Sequence, residues 1–102
     1  MELTERDKPL ITTMYKHSWG IAESPESAED WELTTAYKMA RTEDMEDCRD
    51  IEAYNILACE LRRRARKIST PVERASIAAS LVASGVDMDN ALNDAAYLII
   101  EA

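Results

Sequence analysis

The side chains able to do chemistry are few: one histidine, two cysteines and twenty carboxylates in 102 residues. His17 has no cysteine or carboxylate at the spacing of a zinc ligand set or a catalytic triad, and metal sites need several convergent ligands. It reads as a surface or partly packed histidine. Cys48 and Cys59 are eleven residues apart. On one helix that is about 16 Å along the axis, whereas a disulfide needs Cα atoms within roughly 7 Å. They are expected to be free thiols in a reducing compartment, behaving as small hydrophobes.

With only Gly20 and Gly85 there is no glycine-rich loop to cradle a phosphate. The run DMDNALNDAAYL from Asp87 has the carboxylate rhythm of a calcium loop, but Leu92 stands where that loop needs glycine. Leu98 stands where it needs its last carboxylate. No catalytic residue, cofactor site or metal site is therefore expected, and the chain is not expected to be an enzyme.

What remains is charge. The stretch from Thr42 to Pro71 opens with carboxylates and closes with five bases in six positions, Arg62, Arg63, Arg64, Arg66 and Lys67. On a helix turning about 100° per residue these bases fall between about 100° and 300° from Leu61, the solvent side. Positive charge at a helix C-terminus is favoured by the macrodipole, and Glu60 precedes Arg64 by four residues, the favourable pair order. Helix electrostatics accounts for most of this patch; RNA binding through it is kept as an alternative.

The acidic end is less easily explained. Counting back from Ile51 at about 100° per residue, Asp47 falls near −40° and Asp44 near +20°, on the same side as Ile51 and Tyr54. Carboxylates cannot extend a core without partners. Either the helix begins close to Asp47, or its first turns show a ridge of Glu43, Asp44, Asp47 and Asp50. The stretch ESPESAEDWE adds five further acids and no base, with Trp31 among them as a candidate aromatic anchor. A solvated acidic surface that serves only solubility is the competing explanation.

The elements that must carry these groups are helical. Two glycines, three prolines and no Phe, with many Ala, Leu, Met, Glu and Arg, favour helices joined by short connections. A first helix is expected after Asp7, ending near Gly20. A second follows a start at Ser24–Pro25 or at Ser27, with Leu33, Ala36, Tyr37 and Ala40 on its inner face and Trp31 near its entrance. Thr42 either caps a third helix or lies inside a continuous one.

From Ile51 the seam is Ile51, Tyr54, Ala58, Leu61, Ala65 and Ile68. Thr70-Pro71-Val72-Glu73 reads as a capping box. The next helix carries Val72, Ala75, Ala78, Ala79 and Val82, and stops at Gly85 with Val86 as hydrophobic companion. Asp87 or Asp89 caps the last helix, whose inner face is expected to be Met88, Ala91, Leu92, Ala95, Leu98 and Ile99. No period-two alternation supports a sheet. The expectation is all-α, a compact bundle of four to five helices in one domain spanning residues 1–102.

The totals narrow the function classes. A net charge of −8 argues against general binding to nucleic-acid backbones or anionic membranes. The helix–Gly–helix unit from Pro71 is not expected to read DNA, because its second helix has Asp89, Asp94 and Glu101 and no Lys or Arg. No apolar run reaches the roughly 18–20 residues of a membrane span, and MELTERDKPL lacks the basic-then-apolar pattern of a signal peptide. A cytoplasmic location is expected.

The leading expectation is a small acidic interaction protein that binds, and regulates or inhibits, a larger protein complex with a basic surface. Its sharpest version blocks a nucleic-acid-binding machine by charge mimicry, as an accessory protein of the phage or mobile-element kind would, an association resting on no motif. The second expectation is an assembly subunit forming a helical homodimer or larger homo-oligomer.

Overall fold

The computed structural model describes residues 25–42 and 48–102, the side chains at 42, 48–50, 52 and 53 excepted. The fold is an all-α bundle in which four helices are described. A 3-10 turn, Pro25–Ser27, precedes α1 (Asp30–Thr42), α2 (Cys48–Ile68), α3 (Pro71–Ala83) and α4 (Met88–Glu101). No strand occurs among the described residues. The helix expected between Asp7 and Gly20, and the join between Thr42 and Cys48, lie outside them. The chain groups into two units, Met1–Glu60 and Leu61–Ala102.

In the first unit neither serine starts α1. Pro25 instead opens the 3-10 turn, in which the Ala28 N–H donates to the Pro25 carbonyl at 3.3 Å. The Glu29 N–H then donates to Glu32 Oε1 at 3.0 Å. That is the return half of a capping box, with Glu29 at the N-cap and Glu32 at N3. Carboxylates in this first turn are also favoured by the helix dipole. Leu33, Ala36, Tyr37 and Ala40 are all buried, as their spacing predicts. Thr34 is buried beside them, and its hydroxyl donates to the Trp31 carbonyl at 3.2 Å. Its polar atom is thereby satisfied within its own helix.

Helices α1 and α2 meet in this unit at Tyr37 and Tyr54. Their rings stack with centroids 5.7 Å apart and 21° between planes, and the Tyr54 hydroxyl donates to that of Tyr37 at 3.3 Å. Offset stacking of this kind adds about 0.5–1.5 kcal/mol beyond the area it buries.

The seam expected on α2 is only partly the buried face. Ala58, Leu61 and Ala65 are buried, but Ile51 is 43% exposed and Ile68 is 63% exposed. Ile56, Leu57 and Glu60 are buried as well, so the covered arc spans roughly 200° of the helix. Ile51 stands at the rim of that arc, and Ile68 is the last helical residue, where neighbours run out.

In the second unit local chemistry sets the ends. Thr70, extended at φ −92° and ψ 158°, caps α3. Its Oγ1 accepts from the Glu73 N–H at 3.1 Å while Glu73 Oε1 accepts from the Thr70 N–H at 3.3 Å, with Pro71 at N1. After Ala83 the Gly85 N–H donates to the Val82 carbonyl at 3.0 Å and the Val86 N–H to that of Leu81 at 3.1 Å. This is a Schellman ending, and it requires Gly85 to adopt φ +107°, where an L side chain is strained. Asp87 then caps α4, accepting from the Asn90 N–H at 3.1 Å.

The hairpin of α3 and α4 closes on Ala78, Ala91 and Ala95, with Ile77, Leu81 and Val86 packed against them. The buried faces differ from those expected. On α3, Val72 (77% exposed), Ala75, Ala79 and Val82 face outward, because Ile77 and Leu81 offer more apolar area and set the rotation. On α4, Met88, Leu92 and Leu98 are exposed, while Asn93 and Ala96 join Ala91 and Ala95 inside. Alanines let the two backbones approach closely, and that turns the longer side chains away.

Candidate functional site

The acidic approach to α1 is the best-defined candidate surface of the first unit. The hydrogen bond from the Glu29 N–H to the Glu32 carboxylate fixes the first turn, and Trp31 at N2 points away from the Leu33–Ala36–Tyr37–Ala40 face. Its residue surface is 60% exposed, a large share for the largest apolar side chain there is. Glu26, Glu29 and Asp30 are exposed and Glu32 is half-exposed. Between His17 and Lys38 the sequence has no base. An indole held on a rigid helix turn among carboxylates can seat in an apolar pocket whose rim is positive.

Of the other residues expected to bind a partner, Glu43, Asp44 and Asp47 lie outside the described residues, as does the side chain of Asp50. The five bases do not form one uniform solvent face. Arg63, Arg66 and Lys67 are exposed, but Arg62 and Arg64 are half-buried. Arg62 and Arg66 are brought together with Arg74 of α3, a residue the sequence reading did not single out. Arg74 is held by the turn before α3: its Nη1 donates to the Ser69 carbonyl at 2.9 Å and to Ser69 Oγ at 3.0 Å. Ser69 Oγ in turn donates to the Ala65 carbonyl. No spacing rule links position 74 to positions 62 and 66, and only the reversal of the chain at Ser69–Thr70 joins them.

Among the described residues no group of three His, Cys, Asp or Glu side chains could hold a metal ion. Cys59 is half-buried and is not part of a disulfide. No described helix is long and apolar enough to cross a membrane. His17 lies outside the described residues, as does the side chain of Cys48.

Neither sequence nor fold points to a family. No protein-family model, curated protein or solved structure matches the chain. The functional reading therefore stands on the residues themselves.

Proposed function

We propose that the chain is a non-enzymatic interaction protein that binds a basic surface of a larger protein through the acidic face around Trp31. The observation that carries this reading is the exposure of Trp31 on a helix turn whose other residues are carboxylates. Exposing so large an apolar group to water stabilises nothing in the free chain, whereas aromatics dominate the energetics of protein interfaces. The surrounding negative charge would steer a basic partner and set orientation, and would repel anionic surfaces.

The sharpest form of the proposal is occupation of a basic nucleic-acid channel. A chain of net charge −8 with an aromatic ring among its carboxylates offers what such a channel otherwise receives from phosphates and bases. The test titrates the purified chain against nucleic-acid-binding proteins with basic channels, with and without their duplexes. Saturable 1:1 binding that the duplex competes, and that weakens as salt rises, supports the reading. If Glu26, Glu29, Asp30 and Glu32 can all be reversed to Lys while Trp31→Ala also binds unchanged, the acidic face is irrelevant.

A second reading, self-assembly, rests on the other unit, where Val72, Ile68 and Met88 (59% exposed) leave apolar surface in water. Sedimentation separates the two. A homo-oligomer that persists in high salt favours apolar self-association, since exposed ionic contacts weaken with screening.

A further inference from the structure

The end of α2, the opening turns of α3 and the middle of α4 enclose a cleft of ≈ 170 Å³ within the second unit, lined by Arg62, Arg66, Arg74, Leu92, Ala95 and Ala96. We propose that this cleft binds a small organic oxyanion, a carboxylate or phosphate monoester carrying a short hydrocarbon body. The inference is independent of the Trp31 surface, which belongs to the other unit.

Three arginines line this cleft in a chain whose overall charge is −8. Arg62 and Arg66 are four residues apart on one helix, so their like charges lie on neighbouring turns. The α2 C-terminus favours positive charge there through its dipole, and a bound anion would add to that. Arginine is suited to the task because its planar fork matches the oxygens of carboxylate and phosphate two at a time.

Arg74 is already held by the turn before α3. Both of its hydrogen bonds among the described residues leave from Nη1, toward the Ser69 carbonyl and hydroxyl. The N–H groups on Nε and Nη2 remain for a ligand. The turn therefore holds one guanidinium in place before any anion arrives, which reduces the ordering cost of binding.

The floor explains why an organic anion is favoured over a bare one. Ala95 and Ala96 are buried, and Leu92 is partly exposed beside them. An apolar floor excludes water from one side of the arginines and strengthens their pull on a charge. It also offers contact to a hydrocarbon chain. The volume equals roughly five or six waters at about 30 Å³ each, enough for a head group and a few carbons but small for a nucleotide. An RNA strand would use an open basic strip, and Arg63 and Lys67, the exposed bases next in sequence, do not line the cleft.

The test uses the isotope-labelled full chain and four defined probes: hexanoate, butyl phosphate, acetate and inorganic phosphate. Side-chain Nε–H signals of Arg62, Arg66 and Arg74 and the amide signals of Ala95 and Ala96 are followed by NMR. Saturable, joint shifts are expected with hexanoate or butyl phosphate, and weaker ones with the two anions that lack a chain. Whichever organic probe binds more tightly distinguishes a carboxylate ligand from a phosphate ligand.

Arg66→Gln, at an exposed position that leaves the fold intact, is expected to weaken binding about tenfold, the loss of one charge-assisted contact. Arg63→Gln should stay within about twofold, being outside the cleft. Leu92→Ser should erase the preference for the longer chain. The proposal is overturned if none of the probes saturates, or if Arg63→Gln weakens binding as much as Arg66→Gln. It is equally overturned if a short RNA binds at these arginines and hexanoate cannot displace it.

Discussion

Replacing Trp31 by Ala separates a docking residue from a packing residue, because the structure assigns a magnitude to each role. A tryptophan presents at most about 250 Å², and 60% exposure leaves about 150 Å² of it in water. At ~25 cal/mol per Å² a partner covering all of that surface would gain about 3.7 kcal/mol. Incomplete coverage and the ordering of the side chain reduce the figure to about 2–3 kcal/mol, a factor of about 30 to 150 in Kd.

The covered remainder, about 100 Å², bounds the loss of folding stability at about 2.5 kcal/mol. A compact unfolded state and the better helix propensity of Ala lower that to about 1 kcal/mol. The assay pairs urea unfolding by circular dichroism with calorimetric titration against the basic protein bound most tightly in the channel titrations. Binding is expected to weaken by at least tenfold while the helical signal is retained. A loss of binding below threefold, or a stability loss larger than the binding loss, would refute the reasoning and make Trp31 a packing residue.

Three further outcomes follow from the helix ends and the core. Thr70→Ala removes the side-chain acceptor at the start of α3 and half of a reciprocal cap, and should cost about 1 kcal/mol in chemical denaturation. Gly85→Ala meets no atom within 4 Å of the new Cβ, so its cost is purely that of holding φ +107°. About 1 kcal/mol is expected, seen as a fall of about 4–8 °C in Tm; an unchanged Tm would contradict the left-handed turn. Leu61→Ala, at a fully buried position, should cost about 2–5 kcal/mol, whereas Ile68→Ala, in the same sequence seam but 63% exposed, should cost less than about 1 kcal/mol. Equal losses at the two sites would restore the uniform seam.

What could be read from the sequence was what is decided within a few residues. The Thr70 capping box, the Gly85–Val86 ending and the Asp87 cap are contacts between positions at most five apart, and each formed as its pattern requires. The inner face of α1 was equally legible, because its apolar residues define one narrow stripe. At the α1 entrance a local rule misled: serines outrank glutamate as N-caps in general, yet the side chain of Glu32 is the group that reaches back to the Glu29 N–H.

The faces of α3 and α4 were not legible, since alanines on several sides of a helix leave its rotation to whatever it meets. Ile77 and Leu81 packing against Ala78, Ala91 and Ala95 settled that rotation and left Val72 and Leu98 outward. The same holds for the arginines. Their pattern on one helix suggested a solvent face, and only the chain reversal at Ser69–Thr70 added Arg74 and gave them a floor.

The claim that a foreign basic surface covers the acidic turn of α1 can be measured at the indole itself. Trp19→Phe leaves Trp31 as the sole tryptophan, and its quenching by acrylamide reports how much of the ring meets solvent. Ready quenching of the free chain is expected, falling severalfold as the basic protein is added and recovering when duplex competes the chain away. Quenching that stays the same while the complex demonstrably forms would contradict the account, because the partner would then sit elsewhere.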